Sequence, residues 1–168
     1  MTTSLGKTVL GAALSAMLAL GAAGTASAEV TVNYVNAKKF ADLPFSTWDR
    51  EDVLQQLAAH FKELGARLPA GQSLTVDVTD IDLAGREYPN ARAGGDLRIL
   101  QGTADWPIIE LRYTLSAGGQ VLDSGSARLS DMMYMSRPVR GFQNEALRYE
   151  KRMIDEWFDK TILKTKPG

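Results

Sequence analysis

The sequence predicts an α+β fold: a two-layer sandwich with two helices on one face of a mainly antiparallel sheet of about five strands, ordered β-α-β-β-β-β-α. Three observations carry this. Two long segments, one starting near Ser46 and one spanning 145–163, gather apolar residues on one side at helical spacing. Several shorter runs between and before them alternate apolar and polar residues with the period of a half-buried strand. Elements that are apolar on one side only bury those sides by packing on each other.

Ahead of the first strand, Lys7 is followed by an uncharged apolar stretch from Thr8 to Leu20 and by small residues ending in Ala26-Ser27-Ala28. Cation, apolar run and A-x-A site in that order make a secretory signal, so 1–28 is expected to be cleaved after Ala28, releasing one soluble domain, 29–168, into the periplasm. A membrane anchor is the rival reading. The Gly, Ala, Ser and Thr content after Leu20 disfavours it, and with no cysteine in the chain there is no attachment point for a lipid. The same lack means that no disulfide supports the fold in an oxidising compartment. Loss of Lys7 leaves 18 basic against 20 acidic residues, a charge of −2, so no nucleic-acid partner is expected.

Val30 to Val35 alternates with β-branched enrichment and reads as the first strand. Pro44 marks a turn, and Ser46 or Thr47 can cap a helix running to about Ala66. On it Val53, Leu54, Leu57, Ala58, Phe61 and Leu64 share one sector. Leu74, Val76 and Val78 have one parity and Ile81 and Leu83 the other, which predicts a bulge near Thr79-Asp80. Gly94-Gly95 reads as a turn before a strand marked by Leu97 and Ile99. Ile109, Leu111, Tyr113 and Leu115 alternate with Glu110, Arg112 and Thr114, and Gly118-Gly119 then forms a hairpin turn into Val121–Leu129. The final helix is expected over Glu145–Leu163, capped by Asn144. Ala146, Leu147, Met153, Ile154, Trp157, Phe158 and Ile162 form its apolar side, and Arg148, Arg152, Asp155, Glu156 and Asp159 its polar side.

At Ala104-Asp105-Trp106-Pro107, Leu111-Arg112-Tyr113, Leu129-Ser130-Asp131-Met132 and Leu147-Arg148-Tyr149-Glu150-Lys151-Arg152-Met153, the chain resembles an exported bacterial family, the domain of unknown function 3016 (DUF3016). The C-terminal similarity continues through Asp155-Glu156-Trp157-Phe158, and the whole covers nearly all of the mature chain. The resemblance implies an envelope location and kinship. It implies no activity and no catalytic residue.

Candidate sites therefore come from the residues alone. Asp77, Asp80 and Asp82 form the densest acidic cluster and suit a hard cation, although no calcium-loop spacing is present. Met132, Met133 and Met135 around Tyr134 offer soft sulfurs for Cu(I), with packing as the simpler role. The lone histidine, His60, is expected at the edge of a packed face. Glu150 lies inside the apolar side of the second helix, where an ionised carboxylate needs a partner, expected to be Arg112, Arg128 or Arg98. On that expectation Glu150→Gln lowers stability. Arg137, Arg140, Arg148 and Arg152 flank Pro138, Gly141 and Phe142 and suit an acidic ligand or partner, or a solvated face neutralised by nearby acids. Trp106, barred from central pairing by Pro107, either caps the core or stands at an open edge.

No catalytic constellation is visible: the single histidine would have to serve as base, and no G-x-S-x-G elbow exists. The leading expectation is a non-enzymatic envelope module, binding or accessory, without a cofactor, whose partner is an envelope protein or a small acidic ligand. It would act through its polar sheet face or the Arg137–Arg152 region. The first alternative is a carboxylate-dependent hydrolase using a pair from Asp105, Glu110, Asp131 and Glu150. The second is periplasmic metal handling.

Overall fold

The computed structural model describes residues 28–90, 95–102, 104–138 and 145–164. The predicted leader, save Ala28, lies outside them, as do Gly94, Arg140, Gly141, Phe142 and Asn144. The fold is α+β. Strand β1 (Glu29–Tyr34) leads through a short 3-10 turn (Ala37–Lys39) to helix α1 (Thr47–Gly65), then come β2 (Gln72–Asp82), β3 (Arg86–Asn90), β4 (Gly95–Ile99), β5 (Ile108–Ala117), β6 (Gln120–Ser130) and helix α2 (Arg148–Trp157). A π-helical turn (Phe158–Ile162) extends α2.

Four strands form a mixed sheet in the order β1-β2-β5-β6. β1 runs parallel to β2, as the intervening helix allows, and the other pairs are antiparallel. The predicted bulge appears as a register shift between Val78 and Asp80. Without it, Ile81 and Leu83 would turn outward; with it, both are buried. The β5–β6 turn uses Gly118 and Gly119, both with positive φ (57° and 80°), a backbone that side chains disfavour.

Two elements differ from expectation. β3 is an added strand, making six, and it pairs with β4 as a separate two-stranded hairpin. Pro89 and the charges around it hide this strand from a pattern search. Helix α2 begins at Arg148, three residues later than predicted, because Leu147 holds a left-handed conformation (φ 57°) that no helix interior accommodates.

Ser46 caps α1 by accepting the Asp49 N–H at 3.4 Å. Leu57, Phe61 and Leu64 of α1 and Met153, Ile154 and Trp157 of α2 join one core with Leu74, Val76, Val78, Ile109 and Leu111 of the sheet. Each such large side chain contributes about 1.5–3 kcal/mol on burial. Phe61 and Tyr113 meet the Trp157 ring edge-on, with centroids 6.1 Å and 5.6 Å away. The opposite sheet face carries the polar parity, including Asn33, Asp77, Arg112 and Ser126 in paired register.

Candidate functional site

A turn after β6 gathers most of the sequence-predicted residues. Ser130 ends the strand, and Asp131 accepts the Met133 N–H at 3.0 Å, bending the chain back. Tyr134 is thereby driven inward and is fully buried, while Met132, Met133 and Met135 on either side are exposed. The methionines are therefore not the packing residues of this tract; in a turn, the strand alternation that would bury some of them does not apply.

Tyr134 is the residue sequence reasoning missed, and two of the predicted acids hold its two ends. Its hydroxyl donates to Asp105 Oδ1 at 2.9 Å, and Asp105 also accepts the N–H groups of Gln101 (2.6 Å) and Gly102 (2.8 Å). Its carbonyl accepts from Arg152 Nη2 at 3.0 Å, and the same nitrogen bonds Asp131 Oδ2 at 2.5 Å. Arg152, expected on the polar side of its helix, is instead buried, because these two acceptors and the Arg137 carbonyl (2.9 Å) replace its water. Tyr149 meets Tyr134 edge-on at 4.7 Å, completing a small second core with Ala84, against which Trp106 and Leu100 pack. Trp106 thus lies against this cluster and belongs to no strand.

Glu150 is buried as predicted, but its partner is the Ala84 N–H, which donates to Oε1 at 2.8 Å. The expected ion pair is replaced by a backbone bond: Arg112 and Arg128 stand on the polar sheet parity, while Arg98 exerts only a longer-range attraction. Arg98 itself bonds Asp42 at 2.7 Å.

These surroundings set opposite electrostatic states. Burial pushes Asp105 up, but its four hydrogen-bonding groups, led by Gln101 N–H and the Tyr134 hydroxyl, outweigh that and hold it below the usual carboxylate range. Burial pushes Glu150 up, and Ala84 N–H offsets this only in part. Burial and the neighbouring Asp105 raise the Tyr134 hydroxyl to about 12. Divergent carboxylates are one requirement of acid–base hydrolysis. Neither Asp105 nor Glu150, however, lines a described groove.

The other candidates are spread out. Asp77 accepts from Asn33 (2.8 Å), Asp80 from the Ala41 N–H (2.7 Å), and Asp82 from Arg86 (3.0 Å). Among the described residues no group of three acidic, histidine or cysteine side chains is placed to hold a metal ion. His60 is buried, with Nε2 2.7 Å from Asp155 Oδ1. Arg137 pairs with Asp131 at 3.1 Å and with Glu156. Arg148 stacks over Tyr149, 4.8 Å from the ring centre. Of the three described arginines of this group, Arg152 is buried, Arg148 is half-buried and Arg137 is exposed.

Among the described residues, two grooves border the sheet. One, of about 450 Å³, crosses the polar sheet face and is lined by Thr79, Glu110, Arg112, Ser126 and Arg128. Arg128 there pairs with Glu110 at 3.1 Å, whereas Arg112 is exposed and has no ion pair among the described residues. The other, of about 250 Å³, lies between β6 and α2. No helix among the described residues is long and apolar enough to cross a membrane.

A family model described as "Protein of unknown function (DUF3016)" matches residues 28–160, and the chain belongs to that family. A comparison with curated proteins finds no match.

Proposed function

We propose that this member of DUF3016 is a non-enzymatic binding or accessory module of the cell envelope, processed after Ala28, that engages an acidic ligand or acidic protein surface through its polar sheet face. The observation that carries this reading is the exposed Arg112, which has no ion pair among the described residues, in an open groove flanked by Arg128, Glu110, Ser126 and Thr79. An arginine fork offers several donors to a carboxylate or phosphate. Supporting it, three of the four carboxylates that a hydrolase would draw on are engaged elsewhere: Asp105 holds a loop and Tyr134, Asp131 holds a turn and Arg152, and Glu150 holds Ala84; the fourth, Glu110, lies in the groove and pairs with Arg128.

The test is a photoreactive residue placed at Ser126 and crosslinked in intact cells, with and without Arg112→Glu. A specific adduct that disappears in Arg112→Glu supports the reading. Adducts that are identical in both, with the same yield, refute it. Fractionation of the same cells, with N-terminal sequencing, should recover chains beginning at Glu29 in the periplasmic fraction.

A further inference from the structure

We propose that the groove between β6 and α2 binds an extended acidic peptide segment, which adds to the sheet as a further strand beside β6. This site adjoins the polar face and shares Ala127 and Arg128 with its groove, but it turns on the β6 edge and Lys160, whereas the reading above turns on Arg112. Three features point to it. First, β6 ends the strand order β1-β2-β5-β6, and no described strand pairs with its outer side. A long terminal strand presents unpaired N–H and C=O groups in a row, the template for strand addition.

Second, the lining joins the end of the strand to the helix. From the sheet it takes Ala127–Ser130, the last four residues of β6, and Asp131 just past it. From the helical side it takes Met153, Glu156, Trp157, Lys160 and Thr161, whose spacing of three and four residues is one face of a helix. The groove therefore has a strand wall and a helix wall. Its volume of about 250 Å³ takes single side chains from a passing strand.

Third, the groove's wall hides an unsatisfied donor and its rim is charged. Trp157, which lines it, is buried, and its indole N–H has no acceptor among the described residues. A buried donor without an acceptor is destabilising. The rim holds Arg128, Arg137 and Lys160 against Asp131 and Glu156; Arg152 also pairs with Asp131 and Glu110 with Arg128, which leaves one net positive charge. This positive excess favours an acidic segment. In strand register, alternate side chains would enter beside Met153 and Trp157 while the others stand on the Arg128 and Ser130 side.

The probes are three capped hexapeptides: alternating Val-Glu, alternating Val-Lys, and Val-Glu with N-methyl groups on every second residue. They are titrated into the protein as the cell processes it, with backbone and indole amides followed by NMR. The Val-Glu peptide should bind saturably, shifting the amides of 127–131 and the Trp157 indole N–H. N-methylation and the Val-Lys exchange should each weaken it about tenfold, and Lys160→Glu should reverse the charge preference. The proposal is overturned if Val-Glu shows no saturation at about 1 mM, the scale of weak encounters. It is equally overturned if N-methylation or peptide charge has no effect, or if the outward amides of 127–131 are already protected from exchange in the free protein.

Discussion

Asp105 and Glu150 are both buried carboxylates, yet their surroundings drive them in opposite directions, and stability should register this as two separate pH effects. Glu150 sits above its ordinary value of 4.5 in the folded chain. The stability it contributes is fully present below that value and is lost as pH rises through the raised folded pKa. Gln at 150 keeps an oxygen for the Ala84 N–H and sheds the buried charge. Glu150→Gln should therefore remove a downward slope of stability above about pH 4.5, leaving the variant at least as stable as the native chain near neutrality. This reverses the expectation drawn from an ion pair, and urea midpoints followed across pH decide it: parallel curves would contradict the assignment. Asp105 behaves the other way, with stability present above 3.8 and lost as pH falls through its lowered value. Tyr134→Phe removes one of its donors. The variant should lose about 1–3 kcal/mol and begin acid unfolding at higher pH. Glu150 is legible because it interrupts the apolar side of its helix, whereas no periodic pattern marks Asp105 for burial. Nor is Tyr134 legible, because neither helix nor strand periodicity separates one buried ring in a turn from its three exposed methionine neighbours.

Among the elements, α1 and β1 approach each other closely where Gly65 meets Val30. A Cβ on Gly65 would lie 2.5 Å from Val30 Cγ2, too close for both to keep their places. Gly65→Ala gains about 1 kcal/mol of helix propensity, but overpacking a filled contact costs about 1–3 kcal/mol, so the substitution should be net destabilising. Val30→Ala opens the same space. The double variant should be more stable than the two single losses predict, and a double-mutant cycle on chemical denaturation measures that coupling. Strict additivity would show that α1 shifts without resistance. Elements with strong periodicity and clear stops were legible: the β5–β6 hairpin from its alternation and paired glycines, α1 from its capping serine. β3 and the start of α2 were not. Pro89 masks a strand that only β4 completes, and the left-handed backbone at Leu147 is imposed by packing, since Leu147 lies against the main core.

At the scale of the molecule, one face of the sheet holds the core and the other is mostly polar, with Ile108 an apolar exception, so substitutions should sort by face. Arg112→Glu on the polar face should change stability by less than about 0.5 kcal/mol, which keeps its use as a binding probe clean. The N-terminal boundary is a sharper whole-chain test. β1 pairs with β2 over six positions, Glu29↔Ser73 to Tyr34↔Val78, and Val30 reaches the core under Gly65. Ala28 only packs partly against that core. A chain starting at Glu29, as cleavage after Ala28 would leave it, should lose no more than about 0.8 kcal/mol, the scale of one buried methyl group. A chain starting at Val35 loses the whole strand and exposes the apolar side of α1 and the edge of β2. It should fail to unfold cooperatively, as seen in urea titrations followed by circular dichroism and tryptophan fluorescence. Equal midpoints for the two chains would mean that β1 is dispensable and that the folding unit begins after the first strand.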